Sequence, residues 1–568
     1  MAYLGLGKTL FNSSACLMRP TPGNPDGRPE IELVLSERIL RKKATGAWPE
    51  KAIRALGLPE GQPLRIAENR DVHAPAHQEA ALNTGFPFFD YLKASGLARF
   101  SRQFNPDVEF VPHHRCHAMA AVALSPFEKC LIVVMDGAGS LRKDFPDGLG
   151  EVDAEPDSRD SHEECSVYLH DRGKLQGVFK RWRVFQPSVR HPEHTFSDGV
   201  GILYEKAAEY VFNSGRAAGK VMGLASFGQS VPIGDRRAYL EALDWSTAFR
   251  GKSKQEWEDS GRFAVFANLA ASVQAEFEDG LFTLIARLRQ QFPEVENLIL
   301  TGGCALNCTA NGKLLTSSGF RELFVPPFPG DECIGLGAAS FLYYTRDQRP
   351  WEPLRHADQH GYFGPSRSTP TDSEVDQVFA GFEIVRPDSI ETHTARLLAQ
   401  GEIVAWFQGR SESGPRALGN RSILANPAIP GIKNRLNHDI KFRENFRPYG
   451  SSCPRERVEE YFDVSTGFNS PYMSFAVRPR ASHAAALREV CHVDGTSRIQ
   501  TVRRGQNPRF HELLWIFGAE SGLACLLNTS LNIMGEPIVE TLADARRFLE
   551  SAPVHGLAIG DHYVRRRP

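Results

Sequence analysis

The sequence predicts an α/β protein of more than one module, and three observations predict it. Short apolar runs end on a glycine-bearing turn and then give way to a polar or helical segment, at residues 130–135 before Asp136-Gly137, 297–300 before Thr301-Gly302-Gly303, and 402–407 before Gly409. The chain has 568 residues, too many for one ordinary core, so two to four domains are expected. Residues 346–374 are rich in Pro, Ser, Thr, Gln and Arg, and this shift of composition marks the expected boundary, with a second module starting near Asp376.

Composition narrows the function. With 41% hydrophobic and 24% charged residues the chain is a soluble globular type, and a net charge of -2 argues against a nucleic-acid surface. A small-molecule substrate is expected instead. No apolar run approaches a membrane span and the first residues lack a charged segment followed by a long apolar core, so no membrane and a cytoplasmic location are expected. Of 10 cysteines only Cys304 and Cys308 form a close pair, without a second pair nearby, which predicts reduced packing residues rather than a zinc knuckle.

Taken in order, residues 3–6 and 14–18 predict two strands around a turn at 7–12, and residues 31–35 a third. That opening resembles the start of the actin-like ATPase and sugar kinase superfamily. Residues 49–57 suit an amphipathic helix, and the aromatic run within 83–97 suits core packing.

The stretch at 111–140 is the centre of the chain. His113 and His117 are four apart and share one helix face, and after Pro126 the strand at 130–135 delivers Asp136 at its carboxyl end. Two imidazoles and a carboxylate leave positions open on a divalent metal for a phosphate, a water or a reacting oxygen.

Residues 142–165, acidic and without an apolar period, read as a solvated surface insertion, followed by a strand at 166–170 and a helix at 201–212. Lys220, flanked by glycines in GKVMG, suits a loop that contacts phosphate. Gly302 and Gly303 stand between a strand and a helix that carries Asn311, where free N–H groups would meet a phosphate, with Asn307 at the end of the turn. Asp331, in a glycine-bounded turn before a small-residue helix, is the candidate fourth metal ligand.

In the second module, GRSESGPRALGNRSILANP at 409–427 packs Arg410, Arg416 and Arg421 beside Glu412, a density that either pairs with an anion or forms an ion network with Glu412. Residues 525–539 read as strand, polar turn, strand, and Asn528, Thr529, Ser530 and Asn532 put polar groups where a pure core would be aliphatic. No internal repeat is evident.

Together these motifs resemble the O-carbamoyltransferase family of nodulation-factor, cephamycin and tobramycin carbamoyltransferases. The carriers are HHRCHA at 113–118, MDGAG at 135–139, GKVMGLASFG at 219–228, TGGCALN at 301–307, GDECIGLGAA at 330–339, the 409–427 run, KFRENFRP at 441–448, HVDGTSRIQTV at 492–502 and NTSLNIMGEPIV at 528–539. The resemblance implies an actin-like (sugar kinase-like) duplicated domain over residues 1–355, akin to the tRNA threonylcarbamoyl-transfer enzyme, and a YrdC-like α/β domain over 376–568.

It implies that the rear module uses carbamoyl phosphate, ATP and Mg2+ to make carbamoyl-adenylate. Lys441 and Arg443 would contact phosphate and carbamoyl oxygens, Arg447 would join them, and Ser530 and Asn532 would hold the triphosphate. The front module would transfer the carbamoyl group to a hydroxyl of a small metabolite, beside Fe2+ or another divalent metal on His113, His117, Asp136 and Asp331. The chain departs from the family pattern at Phe11-Asn12, where His-Asp is usual, so His114 is the candidate catalytic substitute, and at Ser140, where an acid is usual. Alternatives are a tRNA-modifying or hydrogenase-maturation carbamoyl enzyme, disfavoured by the near-neutral charge and by the lack of an N-terminal CxxC pattern, and a non-catalytic nucleotide-binding relative.

Overall fold

The computed structural model describes the chain except residues 10–11, 22–27, 44, 47, 59–62, 70–94, 103, 143–159, 356–358, 366–368 and 568. Phe11, most of the aromatic run within 83–97 and most of the acidic segment 142–165 lie outside the described residues. The chain is a mixed α/β protein of two compact units, one comprising residues 1–40, 44–307 and 314–354, the other 41–43, 308–313 and 355–568.

In the first unit, β1 (Ala2–Lys8), β2 (Ser13–Pro20), β3 (Pro29–Leu35), β4 (Leu64–Glu68) and β5 (Glu109–Phe110) form one sheet in the order β3-β2-β1-β4-β5. Then β6 (Lys129–Met135), β7 (His162–Asp171), β8 (Lys174–Arg183), a separate ribbon of β9 (Gln186–Pro187) and β10 (Thr195–Phe196), β11 (Asn297–Thr301) and β12 (Glu322–Phe324) follow, the second sheet being ordered β12-β11-β6-β7-β8.

The two sheets have one plan. In each, three strands run antiparallel in succession and two more add in parallel on the far side of the first, so β6 stands in the second sheet where β1 stands in the first. The sequence showed no repeat because the shared feature is strand order and sense, which unrelated apolar residues satisfy equally well.

The turn after β6 is the important one. β6 is fully apolar from Cys130 onward and buried between β11 and β7, so its carboxyl end carries Asp136 to a fixed point. The helix His113–Ala123 precedes it, and the small-residue helix Ile334–Ser340 packs closely on both β1 and that helix. Glycine permits this approach: a Cβ on Gly335 would lie 3.2 Å from Gly5 O, and one on Gly337 only 1.8 Å from Cys116 O.

Three local expectations are corrected. GKVMG lies in a helix, Ala218–Ala225, not a loop, because valine, leucine and alanine recur on one buried face and override the two glycines. Residues 162–165 belong to β7 and are buried, not part of a solvated insertion, and their acids are paired across the sheet. After Ser530 no second strand follows: β19 (Leu526–Ser530) is succeeded by turns through residue 540.

The second unit contains β13 (Glu383–Val385), β14 (Val404–Phe407), β15 (Arg421–Ala425), β16 (Gly450–Pro454), β17 (Phe475–Val477), β18 (Ser497–Val502), β19, β20 (Gly556–Ile559) and β21 (His562–Arg565) in one sheet, ordered β13-β21-β20-β14-β15-β19-β16-β18-β17. Helices Ile390–Ala399 and Pro508–Ser521 pack on each other, and with the sheet bury Trp406, Phe510, Leu514 and Phe517 in one core. No helix among the described residues is long and apolar enough to cross a membrane.

Two glycine substitutions should move stability in opposite directions. Gly337→Ala forces a methyl against a backbone carbonyl and should destabilise by about 1–3 kcal/mol. Gly219→Ala, helical with open space around it, should stabilise by about 0.5–1 kcal/mol. Thermal denaturation checks both, and equal shifts would contradict the packing described.

Candidate functional site

Four side chains of the first unit converge. Asp136 Oδ2 lies 3.2 Å from His113 Nε2 and 3.1 Å from His117 Nε2, the two Nε2 atoms are 3.2 Å apart, and Asp331 Oδ1 is 3.5 and 3.6 Å from them. All the ligand atoms fall within 4.8 Å of one another. A tetrahedral ion with bonds of about 2.0–2.2 Å separates its ligands by about 3.3–3.6 Å, so this donor set fits a divalent metal.

Two of the ligands are held from behind. Asp136 Oδ1 accepts from Gly137 N at 2.7 Å, and a Cβ on Gly303 would lie 2.9 Å from the same oxygen, so the second glycine of the 302–303 turn makes room for the carboxylate. His117 Nδ1 is 3.2 Å from Cys333 Sγ, a contact that fixes the ring with Nε2 facing the cluster.

The helix that carries both histidines starts after Pro112 without a local side-chain cap. Its first N–H groups go elsewhere: His113 N donates to Ser140 Oγ at 2.9 Å, and His114 N to Glu163 Oε2 at 3.3 Å. Ser140 N donates to the same Glu163 oxygen at 3.0 Å, and Lys180 Nζ is paired with Oε1. A carboxylate at a helix N-terminus is favoured by the free N–H groups and the dipole.

Glu164 does the same for a second helix, Val200–Phe212, accepting from Val200 N at 3.0 Å and pairing with Arg181 at 2.6 Å and Arg183 at 3.1 Å. Successive strand residues normally face opposite ways, but a register shift between Glu163 and Cys165 sets Glu164 outside the regular ladder. The sequence reading missed both acids. Their signal was an acidic pair next to an apolar strand, opposite the Lys180-Arg181 of β8.

Electrostatics follow burial and pairing. Burial opposes the charged ring of His113, yet the Asp136 and Asp331 carboxylates outweigh it and hold its pKa up at about 9. His117 is raised against burial by Cys333 and then by the Asp136 and Asp331 carboxylates, and Asp331 is held down at about 2 by the imidazoles despite burial and the Asp136 charge. Burial would raise Glu163, but Lys180 and His114 bring it down to about 2.

His114, cast as a catalytic substitute, has no exposed surface. Burial lowers its pKa to about 3, its Nδ1 meets Ser166 Oγ at 2.8 Å, and its ring lies under the Gly139 turn, so it supports that turn rather than facing a substrate. Gly302 takes the left-handed φ of 87°. Asn307 is engaged with Gln274, its Nδ2 donating to Oε1 at 2.9 Å, and Lys220 Nζ lies 5.1 Å over the Phe212 ring.

In the second unit Lys441 and Arg443 are buried. Lys441 Nζ donates to Ser530 O at 2.6 Å and Asn532 O at 2.7 Å, and also reaches Ser530 Oγ and Asn532 Oδ1. Arg443 Nε donates to Asn437 Oδ1 at 2.8 Å and its guanidinium lies 4.0 Å over the Tyr449 ring. Burial, then Arg443, Lys43 and Arg447, push the Lys441 pKa well down, and burial brings Arg443 to about 10. Arg447 is 3.6 Å from Glu444. Arg498, half-buried and with its pKa lowered by desolvation, was not singled out by the sequence reading.

Other expected contacts are turned inward. Arg421 donates to the carbonyls of Gln408, Asn420 and Gly409 and stacks on Phe407, while Glu412 accepts from the backbone N–H groups of Leu418, Asn420 and Arg421. Asn528 was expected to face a ligand, but its Nδ2 donates to Ser452 Oγ at 3.0 Å within the sheet. Arg416 is half-buried in the same loop. Asn311, grouped with this unit, donates from Nδ2 to Ser474 O at 3.1 Å.

Comparison with known proteins gives two family matches, the carbamoyltransferase N-terminus over residues 76–340 and the carbamoyltransferase C-terminus over residues 395–566. Nodulation protein NolNO of Sinorhizobium fredii is 34% identical over 82% of this chain and 65% of its own length. Nodulation protein NolO of Bradyrhizobium diazoefficiens is 33% identical over 80% of this chain and 79% of its own. The 3′-hydroxymethylcephem-O-carbamoyltransferase of Amycolatopsis lactamdurans is 35% identical over 61% of this chain and 65% of its own.

Two outcomes test the cluster. The raised His113 pKa contributes stability that is complete below pH 6.5 and lost as pH rises through about 9, and a metal competes with that proton. Zn2+ affinity measured by calorimetry should therefore climb between pH 7 and 9, up to about tenfold per unit for each proton displaced, and a flat profile would contradict it. Cys333→Ala should weaken Zn2+ binding about tenfold or more while Cys333→Ser largely preserves it, and equal affinities in all three proteins would remove Cys333 from the site.

Proposed function

We propose, of a chain that belongs to the carbamoyltransferase family and is therefore a transferase, that it is an O-carbamoyltransferase in which carbamoyl-adenylate is made by the second unit and spent by the first. The fold reading that accompanies this is an actin-like first unit, supported by two five-stranded sheets of one topology, and a YrdC-like second unit. The acceptor is a hydroxyl of a small metabolite or natural product. The Amycolatopsis relative's name specifies a hydroxymethyl group on a cephem.

The observation that carries the reading is a pair of buried cations without a carboxylate. Lys441 and Arg443 have only carbonyl, amide, hydroxyl and phenol groups around them among the described residues, and burial, then the charge of Arg443, depresses Lys441. Burying such charges is costly unless an anion joins them. Carbamate and a nucleoside triphosphate supply that anion.

Carbamoyl phosphate and water give carbamate and phosphate. A carbamate oxygen then bonds to the α-phosphorus of ATP, the bond from that phosphorus to the β-phosphate oxygen breaks, and pyrophosphate leaves as its Mg2+ complex. Lys441 and Arg443 neutralise the carbamoyl and phosphate oxygens as charge builds there, with Arg447 beside them, and Ser530 and Asn532 line the triphosphate. Carbamate is a poor electrophile until its oxygen becomes part of a good leaving group, which adenylation achieves.

In the first unit the acceptor oxygen bonds to the carbamoyl carbon, the bond from that carbon to the AMP oxygen breaks, and the hydroxyl proton is lost to water. His113, His117, Asp136 and Asp331 would hold a divalent ion of the iron type, which would supply Lewis-acid polarisation to the phosphate or carbamoyl oxygen. The backbone of Gly302 and Gly303, at the end of β11, faces the phosphate of the intermediate.

Incubation with ATP, Mg2+ and carbamoyl phosphate, with mass detection of carbamoyl-adenylate, separates the two stages. Lys441→Ala should abolish the intermediate, and His117→Ala should leave it while preventing carbamate ester formation. Carbamoyl-adenylate at the normal level from Lys441→Ala, or none from His117→Ala, would overturn this division of labour.

A further inference from the structure

The helix His113–Ala123 brings two imidazoles to the cluster, and the turn at residues 136–140 brings Asp136. Neither element fixes its own end. The helix starts after Pro112 with no local side-chain cap, and the turn holds two glycines, Gly137 and Gly139. What joins them is one carboxylate on β7. Glu163 Oε2 accepts from Ser140 N of the turn at 3.0 Å and from His114 N of the helix at 3.3 Å. Ser140 passes the link on, since its Oγ accepts from His113 N at 2.9 Å.

The backbone of Glu163 doubles the hold. Its carbonyl accepts from Gly139 N at 2.8 Å and its N–H donates to Ser140 O at 3.1 Å, so the end of the turn is paired to β7 in both directions. The fit leaves no slack: a Cβ on Gly139 would lie 2.7 Å from Glu163 Oε2 and 2.8 Å from His114 Cδ2. Glu163 has no exposed surface, and Lys180, paired with Oε1, keeps it ionised against burial. One carboxylate oxygen thus goes to the neutralising cation and the other to the two elements that carry the ligands.

Groups behind metal ligands set affinity by restraint of this kind, and removing them costs about 10–100-fold. We propose that Glu163 is a positioning residue of the metal cluster, holding the His113 helix and the Asp136 turn in the register at which the four ligand atoms converge, with Ser140 as its relay to His113 N. Glu163 is not itself one of the four ligands. This rests on the metal-site part of the O-carbamoyltransferase reading and deepens it by naming what presets the site before an ion arrives.

The test separates hydrogen-bond acceptance from charge. Glu163→Gln alone leaves Lys180 a buried cation without its partner, so each change is combined with Lys180→Met. In Glu163→Gln/Lys180→Met the amide oxygen can still accept from both N–H groups, and Zn2+ affinity measured by calorimetry should stay close to that of wild type. In Glu163→Leu/Lys180→Met the acceptor is gone, so Zn2+ affinity should fall about tenfold or more and the visible absorption of the Co2+-loaded protein should change in shape and intensity. Ser140→Ala, which keeps the carboxylate and loses only the relay, should fall between the two.

A role in folding alone would lower the melting temperature of the metal-free protein and leave the Zn2+ affinity and Co2+ spectrum of the folded protein as in wild type. That result in Glu163→Leu/Lys180→Met overturns the assignment, as does equal Zn2+ affinity in the two double variants. If the leucine variant does not fold, Ser140→Ala decides, and wild-type affinity there overturns it. A wild type that binds neither Zn2+ nor Co2+ strikes at the metal reading itself, whereas a wild type that binds both, with variants that bind equally well, strikes only at Glu163.

Discussion

The first unit depends on one constraint, that the Asp136 carboxylate and the His113 and His117 imidazoles meet within hydrogen-bond distance. Three elements, two of them consecutive in the chain and one far from both, must agree for that to happen. β6 fixes the carboxylate by burying its apolar run between two strands, the helix fixes the rings by their four-residue spacing, and the turn at Asp331 closes the fourth side. Two anions and two bases in so small a volume are mutually compensating: the imidazoles lower the acids and the acids raise the imidazoles, in each case against burial. Bound metal would take over the compensation now given by protons.

The neighbouring acids Glu163 and Glu164 explain why the helices start where they do. Each satisfies N–H groups that no local cap serves, and each is neutralised from β8. A bulge makes this possible by freeing consecutive residues from strict alternation. The second unit uses the opposite economy, burying Lys441 and Arg443 with neutral acceptors only among the described residues. Such an arrangement leaves two buried charges whose cost is met by hydrogen bonds alone.

The sequence made visible what depends on near neighbours. His113 and His117 were readable because helical spacing alone puts them together, and Asp136 because an apolar strand ending in Asp-Gly has a defined exit. Asp331 needed only its turn and the small helix behind it. Features that depend on distant partners were not readable. Glu163 reads as part of an acidic surface because its partner Lys180 is brought to it only by the sheet, and Asn528 reads as ligand-facing because Ser452 becomes its neighbour only in the fold. GKVMG was misread because glycine lowers helix propensity, whereas tertiary packing of Val221, Leu224 and Ala225 decides the outcome. The repeated sheet plan was invisible for a related reason: topology is conserved by direction of strands, not by residue identity.

X-ray absorption on the metal-loaded protein is the most direct measurement of the central arrangement. The account predicts a first shell of nitrogen and oxygen only, at about 2.0–2.2 Å, with the outer scattering of two imidazoles. A sulfur scatterer at about 2.3 Å, or a shell with fewer than two imidazoles, would contradict it, because Cys333 would then be a ligand or the histidines would not converge on the ion.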